Sequence, residues 1–166
     1  SDRLTKNQRV EVLIKSGSVY VILKDYNSAK EIYCAAREIG GDRDTLLVSL
    51  GTLEFQRDNL NQSVTYFRQA INMNNKNDKA WIGLGLIHRE YGDYELAIAN
   101  VMKAIDLNPR NVTPIKLLTD LSIVAGVPKR ALSFMSDLFR AYPLEDVHLS
   151  ICQLYQYSGQ LQKSWT

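Results

Sequence analysis

With 166 residues, 45% of them hydrophobic and 23% charged, the chain has the composition of a globular protein large enough to bury a sizeable core, as one domain or a short repeat array. A net charge of +2 is too small to imply nucleic acid or an anionic membrane surface as a partner, and no apolar stretch approaches the ~20 residues of a membrane span. No signal-peptide pattern is present, although the chain begins Ser-Asp-Arg, without an initiating Met.

Cys34 and Cys152 are the only cysteines, too far apart in sequence to form a zinc motif or a disulfide framework. Both stand among apolar or small residues, so they are expected to be buried free thiols. That points to a reducing compartment and a cytoplasmic location. No metal or cofactor is implied.

In chain order, after a flank over residues 1–9, the sequence repeats itself every 34 residues. The first repeat, 10–43, carries Leu13, Ser16 and Gly17, a turn at Lys24-Asp25-Tyr26-Asn27, then Ala29, Tyr33 and Ala36, and closes at Gly41. The second, 44–77, has Leu47, Leu50 and Gly51, a turn at Asp58-Asn59, then Ser63, Phe67 and Ala70, ending at Asn75. The third, 78–111, places Trp81, Leu84 and Gly85 before Tyr91-Gly92-Asp93, then Ala97, Val101 and Ala104, ending at Pro109. The fourth, 112–144, has Ile115, Leu118 and Thr119, a turn at Ala125-Gly126-Val127-Pro128, then Ala131, Met135, Leu138 and Pro143. A fifth begins one residue early, over 145–166, with His148, Ile151, Cys152, Tyr155 and Gly159, and has no room for a second half.

Each repeat pairs two apolar stretches of helical period across a turn, the signature of a helical hairpin. Asp44 and Asp78 stand where a carboxylate caps the first helix, and Thr113-Pro114 takes that place in the fourth repeat. A lone hairpin cannot bury its apolar face and must stack on its neighbour.

These slots resemble the tetratricopeptide repeat, W-x2-L-G-x2-Y…A-x3-F…P over 34 residues. The third repeat matches best: Trp81, Leu84, Gly85, Ala97, Ala104 and Pro109 fill their slots, with His88 replacing the tyrosine and Val101 the phenylalanine. The resemblance implies an all-α, right-handed helical solenoid of about four and a half repeats. The chain is expected to be a segment of a longer protein, or an array capped by its final helix.

Three features invite chemistry. Gly83-x-Gly85 fails as a nucleotide fingerprint, since no strand precedes it and His88 replaces the third glycine. Glu54, His88 and Ser122 share one slot in three repeats, an acid, a base and a hydroxyl in a row. No nucleophile turn or oxyanion donor accompanies them, so a non-catalytic reading is preferred. Asn61-Gln62-Ser63 and Asn111-Val112-Thr113 match the glycosylation sequon but are short enough to arise by chance. His148 is expected as a packing residue, and the tyrosines as structural.

The inner face of the first helices is the expected binding surface, because the resemblance implies a concave groove there. Residues one, two, five and eight beyond the Trp slot point to it. These are Ile14, Lys15, Ser18 and Val21; Val48, Ser49, Thr52 and Phe55; Ile82, Gly83, Leu86 and Arg89; and Lys116, Leu117, Asp120 and Ile123, and Lys79 joins them as a basic groove candidate. Ile14, Val21, Val48, Phe55, Ile82, Leu86 and Ile123 form an apolar stripe, which points to a partner surface. Gly83 is expected to leave backbone open for close approach. A clamp for acidic chaperone tails is not reproduced: Ile14, Ser18, Ser49 and Gly83 occupy its basic and amide positions, with only Lys79 available. The expected function is a non-catalytic scaffold holding an apolar or amphipathic helix of a protein partner. Its alternatives are the recognition arm of a larger enzyme, such as a glycosyltransferase, and a bacterial secretion chaperone. Tyr155, Tyr157 and Trp165 are candidates for a homo-oligomer contact through the unfinished repeat.

Overall fold

The computed structural model describes residues 4–159. Among them are nine helices and no strand: α1 (Lys6–Ile22), α2 (Tyr26–Gly40), α3 (Asp44–Gln56), α4 (Leu60–Met73), α5 (Asp78–Glu90), α6 (Tyr94–Leu107), α7 (Val112–Val124), α8 (Pro128–Ala141) and α9 (Glu145–Tyr157). They form two compact units, divided between Gly83 and Leu84 within α5. In the N-terminal unit α1 pairs with α2 and α3 with α4, and α3 stacks on both α1 and α2. In the C-terminal unit α7 packs on α6, α8 and α9, and α8 also packs on α9.

The turns repeat with the sequence. Lys24, Asp58, Gly92 and Gly126 all adopt positive φ, between 60° and 75°, and they are spaced 34 residues apart. Each lies just past the end of a first helix. The following amide reaches back to a carbonyl in the last turn: Asp25 to Tyr20, Asn59 to Glu54, Asp93 to His88 and Val127 to Ser122, at 2.8–2.9 Å. This is the Schellman closure, which satisfies carbonyls that the helix end leaves unpaired. Gly159 repeats the conformation at φ 71°, one residue early as the fifth repeat begins one residue early. Where the turn residue is Lys24 or Asp58, a side chain is forced into the left-handed region at a cost that glycine avoids.

Second helices start on those same turns. Asp25 accepts from the Ser28 amide and Asp93 from that of Leu96. Asn59 donates instead to the Glu54 carboxylate at 2.7 Å, and Pro128 opens α8 without a side-chain cap. First helices depart from expectation in detail. Asp44 is the first residue of α3, with Arg43 at the cap position. Its carboxylate accepts from Asn74 and Asn77 at 2.7 and 2.9 Å, tying the start of α3 to the loop after α4. Burial works against its ionisation, but these amide donors and the backbone N–H groups of Thr45 and Asp44 outweigh it and lower the pKa. In the fourth repeat Asn111, not Thr113, caps the helix. Pro114 falls within the first turn, where its missing N–H costs nothing.

The interior of the N-terminal unit joins Val10, Ala29, Tyr33, Ala36, Leu46, Leu50 and Leu53. The C-terminal unit buries Ile98, Ile105, Ile115, Leu118, Leu121, Met135 and Leu154. Ser63, standing at the alanine slot, is buried and donates to the Gly51 carbonyl at 2.7 Å. The cysteines are not buried as expected: Cys34 is exposed and Cys152 half-buried. Cys34 follows the buried Tyr33 on α2, about 100° round the helix, and so turns away from the core.

Two outcomes follow for stability. Lys24→Gly should stabilise the protein, and Gly126→Lys should destabilise it, each by about 1 kcal/mol, read as shifts of the urea midpoint at constant m-value. Asp44, with its folded-state pKa depressed, contributes stability that is present above its unfolded value and lost as pH falls through the folded one. Below about pH 4, Asp44→Asn should therefore lose stability less steeply than the parent chain in acid-unfolding curves.

Candidate functional site

The inner sides of the first helices form a hollow in each compact unit. In the N-terminal unit a hollow of about 440 Å³ is bounded by Glu11, Ile14, Lys15 and Ser18 of α1. Thr45, Val48 and Ser49 of α3, with Arg43, Asn77 and Lys79, complete it. In the C-terminal unit a second, of about 310 Å³, lies between Lys116 and Asp120 of α7 and Asp146, Leu149, Ser150 and Gln153 of α9. The same slots line both: two before the Trp slot, and one, two and five after it.

Of the expected residues, Ile14, Lys15, Ser18, Val48, Ser49 and Lys79 are brought together in the first hollow, and Lys116 and Asp120 in the second. Neither is lined by Val21, Thr52, Phe55, Ile82, Gly83, Leu86, Arg89 or Ile123. Thr52 is exposed, and Arg89 is exposed and paired with Glu90 at 2.9 Å. Sequence reasoning passed over Arg43 and Asn77 in the loops, Leu149, Ser150 and Gln153 of the unfinished repeat, and Glu11, Thr45 and Asp146 in the slot two before Trp. At about 100° per residue that slot lies at ~160°, beside the fifth at ~140°, while the eighth falls at ~80°. The same arithmetic applied backwards along the helix finds Glu11, Thr45 and Asp146.

The apolar stripe is not an exposed patch. Ile82 is buried, and Ile14, Val21, Val48, Phe55, Leu86 and Ile123 are half-buried. Ile14 and Val21 pack against the N-terminal core. α1 stacks on α3, and Ile14 and Val48 leave a half-buried apolar floor in the N-terminal hollow. Ser18 is occupied locally, its hydroxyl donating to the Ile14 carbonyl and lying 3.1 Å from the Tyr33 hydroxyl. Burial raises the pKa of Tyr33, although hydrogen bonds to Ser18 and Ser49 oppose it.

Gly83 is the clearest correction. It is buried, and a methyl group placed on it would collide with the Phe67 ring. That ring also lies against Gly51, where an added methyl would meet it at 3.0 Å. Phe67 of α4 is thus wedged between glycines on α3 and α5. No open backbone faces a partner. The second position after the Trp slot answers the previous repeat's second helix: Ser49 follows Tyr33 and Gly83 follows Phe67. Where that helix carries the smaller Val101, the slot holds a buried Leu117.

The charges of the hollows differ in sign. Lys15, Arg43 and Lys79 outnumber Glu11 in the first. In the second, Asp120 and Asp146 outnumber Lys116, whose ammonium is 3.5 Å from Asp146. In each repeat the member of the row Glu54, His88, Ser122 stands at the end of a first helix. Its backbone carbonyl is the acceptor of the turn closure described above. The Glu54 carboxylate is held by Asn59 and Arg57, the His88 ring stands edge-on to Tyr91, and Ser122 is buried at 1% exposure. Among the described residues no group of three or more His, Cys, Asp or Glu could hold a metal. Ser63 of the first sequon is buried, and Asn111 of the second caps α7. His148, expected as a packing residue, is exposed yet stacks on Phe139 with ring centres 5.7 Å apart, and its Nε2 is 3.9 Å from the Cys152 thiol. Tyr155 is half-buried and Tyr157 exposed on α9, while Trp165 lies outside the described residues.

Family models described as tetratricopeptide repeat match residues 10–39, 45–77 and 78–111. The chain belongs to the tetratricopeptide repeat family. Its fold is that family's all-α array of stacked hairpins. Among solved structures it resembles PilF of Pseudomonas aeruginosa, with 17% identity and a TM-score of 0.73 over 97% of this chain and 78% of that one. It also resembles the first tetratricopeptide domain of Spaghetti (RPAP3) bound to the HSP90 peptide SRMEEVD, at 18% identity and TM-score 0.62, over 72% of this chain and 94% of that one. In sequence it is 27% identical over 106 residues to the cell division cycle protein 27 homolog of Caenorhabditis elegans. That match takes in 63% of this chain but 13% of the relative's length. The tetratricopeptide fold is in general a non-catalytic protein-interaction module. No helix among the described residues is long and apolar enough to cross a membrane.

A size swap tests the assignment of Gly83. Gly83→Leu should overpack the Phe67 contact and cost about 2 kcal/mol or more. Combining it with Phe67→Val, which reproduces the Val101 and Leu117 sizes, should recover most of that loss in a double-mutant cycle. Additive losses would leave Gly83 without its packing role.

Proposed function

We propose that this tetratricopeptide array is a non-catalytic scaffold that holds an amphipathic segment of a partner protein on the inner faces of its first helices. The observation that supports this reading is the recurrence of a hollow at the same repeat slots in both units, each with charged groups at its rim, the N-terminal one over a half-buried apolar floor and the C-terminal one beside the exposed Leu149. In the N-terminal unit Ile14 and Val48 supply the floor, while Lys15 and Lys79 are exposed. A segment with apolar side chains along one side and acidic ones at its border suits that hollow. Such a helix or extended peptide gains from burial of its apolar face and from charges that steer its register.

The surroundings of two polar candidates support the non-catalytic reading. The Glu54 carboxylate accepts from Asn59 and Arg57, and the Ser122 hydroxyl is buried. The proposed location is cytoplasmic, a reading carried by the sequence pattern of unpaired cysteines.

Charge reversal on the hollow should separate binding from folding. Lys15→Glu with Lys79→Glu should lower recovery of co-purifying partner at least tenfold in quantitative mass spectrometry, with an unchanged circular dichroism spectrum. Lys103→Glu, exposed on α6, serves as control and should retain it. Equal recovery with all variants would rule out the inner face as the binding surface.

A further inference from the structure

A second surface, on the opposite flank of the first helices, has its own internal standard. Two slots, one before and six after the Trp slot, are buried in each later repeat. Leu46 and Leu53 are both 0% exposed, as are Val147 and Leu154, and Leu121 is 1% exposed. Ala80, Ile87 and Pro114 are buried at the same slots. In α1 the corresponding residues are Val12 and Val19, and they are 49% and 53% exposed. Leu23 beside them is 68% exposed and Tyr20 37%. At about 100° per residue, Val12, Val19 and the C-cap residue Leu23 fall within ~40° of one another, so they share one flank of the helix.

What covers these slots elsewhere is visible in the same molecule. Leu46 and Leu53 share a core with Ala29, Tyr33 and Ala36 of α2. α7 is packed on α6 and α9 on α8. In each case the cover is the second helix of the preceding repeat, joined by a short loop. Helices that end a solenoid carry a polar outer face, and α1 does not. Of the described second helices, α2, α6 and α8 are already engaged by α3, α7 and α9, and Phe67 of α4 lies against Gly83 of α5, so another copy of the chain could not offer one of them.

We propose that the outer face of α1 is a stacking surface for one more amphipathic helix, the second helix of a repeat preceding it on the same polypeptide. The helix has the pattern seen in α2: a small residue, a large one four positions on, and a small one three further, as Ala29, Tyr33 and Ala36. It stacks on Val12, Val19 and Leu23 as α2 stacks on Leu46 and Leu53. This surface is distinct from the inner hollows and does not depend on their role.

The test supplies such a helix in register. Residues 26–43 are copied in front of Val10 in place of residues 1–9, and in a second form in front of Thr5. Stacking should raise the thermal midpoint and slow amide exchange at Val19 and Tyr20 at least tenfold in one form or both. Val12→Lys with Val19→Lys should cancel that gain, yet leave the midpoint of the 166-residue chain unchanged because both side chains are exposed there. No protection in either form would overturn the proposal. So would sedimentation of the 166-residue chain as a dimer that the double substitution converts to monomer, since a second copy would then be the cover.

Discussion

The Phe67 ring sits where α4 meets two first helices, against Gly51 on one side and Gly83 on the other. Neither glycine could carry a side chain without moving it. This wedge couples two scales of the architecture. Within a repeat, the absent side chain at Gly51 lets the paired helices approach. Between successive first helices, the absent side chain at Gly83 lets the ring enter. Tyr33 does the same in the preceding repeat, over Gly17 and with Ser49 beside its hydroxyl. The positions of the first helices, and hence of their inner hollows, follow from how large the wedge is and how small its seats are.

Turn chemistry supplies the other constraint. Four left-handed residues in strict period end the first helices, and their closures spend the carbonyls of Tyr20, Glu54, His88 and Ser122. A row that reads in sequence as acid, base and hydroxyl is in the fold a row of helix ends. Side chains there are free to vary because the backbone makes the closure. That explains how residues as unlike as Glu54 and Ser122 occupy one slot without sharing a function.

The fold was legible because its period and its small-residue slots are written within each repeat. Trp81, Gly85 and Ala97 point to a hairpin with no reference to anything outside it. The candidate site was legible only to a degree. Helical angles placed Ile14, Lys15, Ser18, Val48 and Ser49 on one face, and Lys116 and Asp120 on its counterpart, while Lys79 stood out only as a groove cation. Gly83 was misread because its reason lies in Phe67, on the second helix of another repeat, which an angle within α5 cannot reveal. The apolar stripe was overestimated for the same reason: Ile14 and Val21 pack on a core shared with other helices, which a single helical wheel does not show. Cys34 shows the limit of composition, since apolar neighbours in sequence did not bury it.

The central claim, that a partner lies along the inner faces of the first helices, is tested most directly by site-specific photocrosslinking. A photoreactive residue is placed at Thr45 or at Gln153, each lining a hollow, or at Lys103 on the exposed side of α6. The expected result is covalent capture of one partner from the first two positions and none from Lys103. Capture from Lys103 alone, with the inner positions silent, would contradict it.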